Sequence, residues 1–192
     1  MISQTLMEKL LQLRLPAFRD GLREQISNPQ YAQLSFEDRL LLLVDLECTR
    51  RLDSRTKRRL KLAEFPMRAT VEDLDLSPER GLERRLVLEL SQCNWIDKAL
   101  NILVSGATGT GKSYLACALG VAACRSGYSV RYLHTSRFLH TLTHARQDGS
   151  YLNLLSSLSR TEVLILDDWM RDPILLSAAQ DLLEVFDDRF GK

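Results

Sequence analysis

The chain has no continuous apolar stretch long enough to cross a bilayer, and Met1 to Leu15 lack the layout of a secretory leader. A transmembrane helix is excluded on that ground, and a cytoplasmic location is expected. Cysteine is sparse and unpatterned: Cys48, Cys93, Cys117 and Cys124 form no C-x-x-C pair, which argues against a disulfide framework and fits a reducing compartment. Cys117 and Cys124 stand seven apart, on one face of a helix if the segment is helical, where buried thiols are the plain reading. Charge is balanced overall, at +1, so the total gives no partner and only its distribution can. There is no internal repeat and no low-complexity linker. What remains is 192 residues with 45% hydrophobic content, enough for one full domain and a small appendage.

Within that chain, Gly106-Ala107-Thr108-Gly109-Thr110-Gly111-Lys112-Ser113 fits the phosphate-loop pattern G-x-x-x-x-G-K-[ST]. Glycines let the backbone wrap a polyphosphate with its N–H groups inward. Lys112 can reach the β- and γ-phosphates, and the Ser113 hydroxyl can ligate Mg²⁺. The flanks agree. Leu100 to Ser105 is a short apolar run that reads as a buried strand, and Ser113 to Cys124 is an Ala/Leu-rich helix that Gly127 can end. Strand, glycine loop and helix N-terminus, up to Tyr114, together form an anion site, because free N–H groups and the positive dipole end face the phosphates.

A second element completes the site. Val163-Leu164-Ile165-Leu166 runs into Asp167-Asp168, an apolar strand that delivers carboxylates at its C-terminal end. Asp167 is assigned to the Mg²⁺, directly or through water, and Asp168 to polarising the attacking water. These residues predict an ATP or GTP site, with Lys112, Asp167 and Asp168 as its catalytic groups.

The first 95 or so residues read as wholly helical, and strands alternate with helices after them. Leu6, Leu10, Leu13 and Ala17 mark a first helix, and Asn28-Pro29 breaks the next. Ser35, with Asp38 three residues on, caps a long helix running to about Leu62. Ser77-Pro78 opens another, carrying Leu82, Leu86 and Leu90. The end of the long helix holds Arg50, Arg51, Arg55, Lys57, Arg58, Arg59 and Lys61 against Asp53 alone. That run is either a solvated face or a grip on a nucleic-acid backbone. With no interleaved aromatics it would hold phosphates without reading bases. A second basic segment, His134, Arg137, His140, His144 and Arg146, follows the strand Tyr128 to Leu133 and reads as a helix facing DNA or a neighbouring subunit. His140 and His144 have metal-ligand spacing but lack the acid of a zinc-protease helix and any third ligand, so no metal is expected there. Trp95 reads equally as an adenine platform or a hinge or core residue, and Trp169 as local packing.

Three segments give the chain a close resemblance to the IstB-like ATPases, transposition helpers encoded beside the transposase of certain bacterial insertion sequences. They are Leu-Ser-Phe-Glu-Asp-Arg-Leu at 34–40 with the basic helix after it; Cys-Asn-Trp-Ile at 93–96 leading into Gly106–Ser113 and Leu115–Gly120; and Ile165–Trp169 followed by a helix to Gly191. The likeness covers essentially the whole chain. It implies an α/β fold: an AAA+ P-loop NTPase at 93–192, with a parallel sheet flanked by helices, behind a small all-α domain at 1–92. It implies ATP and Mg²⁺ as cofactors, assembly as a homo-oligomer on double-stranded DNA, and recruitment or stimulation of a transposase, in a bacterial cytoplasm. The family's nucleotide residues fall on Gly106, Gly109, Gly111, Lys112, Ser113, Asp167 and Asp168. The helix from about 136 to 147, with Arg137 and Arg146, matches the region that initiator-type relatives turn toward DNA.

Members of that family run on well past Lys192. The resemblance therefore places the sensor strand, the arginine finger and the helical lid outside this sequence, with the missing strand between the P-loop strand and the carboxylate strand. Arg189 is a poor substitute for the finger, and a truncated sheet with doubtful turnover is expected. The alternatives are a helicase loader of the DnaC type, or a DNA- or partner-binding module with an inactive ATPase half.

Overall fold

The computed structural model describes residues 4–169, 171 and 173–190. The chain divides into two compact units, Met1–Lys57 and Arg58–Lys192. In the first, helix α1 covers Gln4–Gln12 and α2 covers Pro16–Ser27. The first helix stops before Leu13, because Arg14 takes a left-handed φ of 56° and Pro16 restarts the chain at a new first turn. Asn28 ends α2, and its side chain accepts the Gln30 N–H at 3.1 Å to start a 3₁₀ turn over Pro29–Gln33. Helix α3 then runs Phe36–Ala63. Its cap is the expected one: the Asp38 N–H donates to Ser35 Oγ at 3.1 Å, while that hydroxyl donates to the Asp38 carboxylate at 2.6 Å. Glu47 on α3 is buried and accepts the Ala17 and Phe18 N–H groups at 2.9 and 3.2 Å, satisfying the open end of α2.

In the second unit the front end is less helical than expected. Residues 64–77 are irregular, and Ser77-Pro78 opens only a 3₁₀ turn over Pro78–Arg80. Gly81, with φ 67°, breaks that turn, so helix α4 begins at Arg84 and ends at Ser91. A one-turn helix α5, Asn94–Asp97, follows. Helix α6, Lys112–Ser126, ends at Gly127 in the left-handed conformation, as its sequence demands. Strand β1, Val130–His134, leads into α7, Thr135–Asp148, and α8, Tyr151–Ser159. Strand β2, Val163–Asp167, leads to α9, Leu176–Asp187.

The two strands pair in parallel, with Val130 beside Val163 and His134 beside Asp167. Period-2 alternation sorts their side chains. Val130, Tyr132, Val163 and Ile165 pack against α6, whereas Leu133, Leu164 and Leu166 pack against the cluster of α7, α8 and α9. The result is an α/β/α sandwich whose loops at the strand C-termini gather at the start of α6. The strand expected at 100–105 does not form: the segment is unpaired, with Ile102 and Val104 packed on Val87, Leu115 and Leu119 while Leu103 is 87% exposed. Its alternation is that of a strand. A strand also needs a partner to take its N–H and C=O groups, and among the described residues none lies alongside.

Candidate nucleotide site

Gly109 (φ 82°) and Gly111 (φ 92°) hold left-handed conformations that turn the loop back onto α6, with Gly111 as the cap of that helix. The first-turn N–H groups of α6, on Lys112, Ser113 and Tyr114, have no intrahelical acceptor and point their dipole end at the loop. Lys112 Nζ donates to the Ala107 carbonyl at 2.7 Å, and Thr110 Oγ1 donates to the same oxygen at 2.8 Å. Both contacts are on the loop's own backbone, so an incoming phosphate need only displace the lysine from a neutral carbonyl. The Tyr114 ring is half-buried against the cluster of Ala69, Cys117 and Ala118.

Asp167, at the end of β2, faces this loop. Tyr132 Oη donates to Asp167 Oδ2, and Thr135 Oγ1 donates to the Asp167 carbonyl at 2.7 Å. Burial pushes the Asp167 carboxyl upward, but the nearby Ser113 hydroxyl and the Tyr132 hydroxyl outweigh it, with the Asp168 N–H and His134 adding to the same effect. The group is held below the usual aspartate value, and so ionised. Burial first, and then the bond to Asp167, push the Tyr132 phenol up, so the proton stays on the tyrosine. Asp168 has a left-handed φ of 53° and stands 3.5 Å from His134 Nδ1 and 3.4 Å from Arg171 Nη1.

Ser113 and Asp167 supply a hydroxyl and an ionised carboxylate side by side, a hard-oxygen donor pair of the kind Mg²⁺ takes together with waters and phosphate oxygens. The residues present fit that ion. His140 and His144 lie exposed on α7. Trp95 packs with Cys93, Ala123 and Cys124 and donates its indole N–H to the Leu90 carbonyl at 3.0 Å. That is the far end of α6, roughly 18 Å from Lys112 at 1.5 Å per residue, which favours the core reading over an adenine platform. Trp169 packs on Phe186, with ring centroids 6.0 Å apart.

The basic residues fall into two groups. Arg50, Arg55, Lys57, Arg58 and Lys61 on α3 and Arg137 on α7 are exposed, and Arg59 is half-buried. Arg51 instead donates to Glu47 at 2.9 Å and to the Arg14 carbonyl at 3.0 Å. Arg146 is held between Asp181 at 2.6 Å and Glu184 at 3.0 Å, with its guanidinium 3.9 Å over the Tyr151 ring. Both make these contacts while their side chains stay 49% exposed. Arg189 donates to the carbonyls of Leu158, Thr161 and Glu162, closing the C-terminal end of α8.

Sequence reasoning missed Tyr132, Thr135 and Arg171, and put His134 on the helix when it ends β1. The register that sets His134 beside Asp167 brings the first two to the site, and no local pattern encodes it. The available hint was the inward alternation of Val130 and Tyr132, since a buried tyrosine needs a partner for its hydroxyl.

A model of the family "IstB-like ATP binding protein" matches residues 8–192. A candidate ATP-binding protein of insertion sequence IS1162 from Pseudomonas fluorescens is 44% identical over 192 residues, which is the whole of this chain and 83% of that protein. The candidate insertion-sequence ATP-binding protein y4pL of Sinorhizobium fredii is 40% identical over 192 residues, covering 100% of this chain and 78% of the relative. The candidate ATP-binding protein of insertion sequence IS21 from Pseudomonas aeruginosa is 29% identical over 189 residues, 98% of this chain and 70% of its own length.

Proposed function

Because the chain belongs to the family of IstB-like ATP-binding proteins of insertion sequences, we propose that it binds Mg·ATP at the Gly106–Ser113 loop, assembles with ATP on double-stranded DNA, and there recruits or stimulates a transposase. The observation that carries the reading is the meeting of that loop with the ionised Asp167 at the end of β2. The Gly109 and Gly111 turns and the α6 N-terminus bind the phosphates, and Lys112 exchanges the Ala107 carbonyl for a phosphate oxygen. Ser113 and Asp167 would hold the cation, whose chemistry there would be to offset charge on the nucleotide's phosphates. Asp168 is the group available to orient a water, and His134 and Arg171 fix its position. The exposed cations of α3 and Arg137 would meet DNA phosphates without reading bases.

Two measurements test the reading. Saturating Mg·ATP should raise the melting temperature of the wild type and not of Lys112→Ala; at a hundredfold excess over Kd the gain is about 2.7 kcal/mol. Equal shifts in both proteins, or none in the wild type, would refute the nucleotide site. With ATP bound, duplex affinity should fall with salt, and Arg58→Glu/Arg59→Glu should flatten the log–log slope by about 0.9 for each lost phosphate contact. An unchanged slope would remove α3 from the DNA interface.

A further inference from the structure

Tyr132 belongs to none of the motifs that define the nucleotide site, yet it makes the hydrogen bond that fixes Asp167. It lies on β1, 5% exposed, wedged against Ala69, Cys117 and Ala118, with Ile165 as its neighbour on β2. From there its hydroxyl reaches the Asp167 carboxylate at Oδ2, while Thr135 Oγ1 holds the backbone carbonyl of the same residue at 2.7 Å. One tether fixes the carboxylate's rotation and the other fixes the end of the strand. The His134 ring stands edge-on to Tyr132, with centroids 5.6 Å apart.

A carboxylate at the end of a strand can turn about its terminal torsion almost freely, since that torsion is broad. A cation held jointly by a serine hydroxyl and one carboxylate oxygen needs that oxygen aimed. We propose that Tyr132 is a positioning residue for the metal: by occupying Oδ2 it keeps the other oxygen of Asp167 turned to the cation beside Ser113. The inference rests on the Mg·ATP reading above and adds a residue to it.

The test is the binding of Mn²⁺, followed by electron paramagnetic resonance, to the full chain loaded with a non-hydrolysable ATP analogue, comparing wild type with Tyr132→Phe. Analogue binding in EDTA, with no metal present, is measured alongside. Tyr132→Phe should weaken Mn²⁺ affinity by roughly tenfold or more, as expected for losing the hydrogen bond that orients a ligating carboxylate. Metal-free analogue affinity should stay within twofold. Mn²⁺ affinity within twofold of wild type would overturn the inference, as would an equal loss of metal-free binding, which would make the hydroxyl a support of the loop. If Tyr132→Phe also lowers the melting temperature, the Asp167→Asn background separates the roles. With the carboxylate gone, adding Tyr132→Phe should change Mn²⁺ affinity by less than twofold, and a further loss would overturn the assignment. Failure of the wild type to bind the analogue at all would instead refute the nucleotide reading and take this inference with it.

Discussion

Gly120 sits in the middle of α6, where replacing glycine by alanine ordinarily stabilises a helix by about 1 kcal/mol. Here the opposite sign is expected. A Cβ at position 120 would lie 2.7 Å from Phe65 Cε1 and 2.8 Å from Ile165 Cδ1, well inside van der Waals contact. The Ile165 methyl can rotate, but the Phe65 ring is packed among Ala63, Cys124 and Ala118, so α6 must lift away from β2 or the ring must leave its place. Overpacking of this kind costs about 1–3 kcal/mol, and with two neighbours displaced the upper half of that range applies. After subtracting the helix-propensity gain, Gly120→Ala should destabilise the unit by about 1–2 kcal/mol, a fall in melting temperature of about 3–7 °C for a fold of this size. The same displacement separates Ser113 on α6 from Asp167 on β2, so stabilisation by Mg·ATP should shrink more than stabilisation by ATP in EDTA. Differential scanning fluorimetry under the two conditions reads both effects. A melting temperature raised by a few degrees would mean that helix propensity acts unopposed, and would refute the close approach of α6 to the sheet on which the site's geometry depends.

Other residues should answer to stability or to pH. Glu47 is held below its ordinary value of 4.5: burial pushes it up, but the Phe18 N–H, the Arg51 guanidinium and the Ala17 N–H outweigh that. Its contribution should therefore be complete above pH 4.5 and be lost as pH falls through the lower folded value. Glu47→Gln should cost about 1–3 kcal/mol at pH 7 and progressively less toward pH 3, read from urea midpoints; a gap independent of pH would refute the role. Arg189→Ala should cost about 1–3 kcal/mol by removing the guanidinium from the carbonyls of Thr161 and Glu162, while Leu158 keeps the Thr161 N–H at 3.1 Å, and hydrogen exchange should rise first at the α8–β2 junction. Arg146→Ala should lower the melting temperature and leave the salt dependence of DNA binding unchanged, because its charge is spent on Asp181 and Glu184; a flatter salt slope would contradict that.

Local chemistry made the helical caps, the glycine turn into α6 and the carboxylate strand readable in advance. Ser35 with Asp38 started α3, Gly127 stopped α6, and four apolar residues before Asp167 marked β2, because each of these depends on neighbours a few positions away. The segment at 100–105 has equally clear strand chemistry and does not become one, since pairing depends on what lies beside it. Ser77-Pro78 carries a sound helix-start signal that Gly81, with its positive φ, cuts to a single turn.

The basic stretch of α3 and the cations of α7 look alike in one dimension. In three, Arg51 and Arg146 turn to carboxylates within their own units while Arg58 and Arg137 form no ion pair among the described residues, because only packing determines which acids come within reach. The sequence by itself determined that a glycine-rich loop before a helix, an acid pair closing an apolar strand and a cationic helix stretch exist, since glycine torsions, donor chemistry and charge are properties of the residues. The tertiary structure decided that Tyr132, Thr135 and His134 attend that acid, because they reach Asp167 through the parallel register of β1 and β2 and nothing short of the folded sheet sets that register.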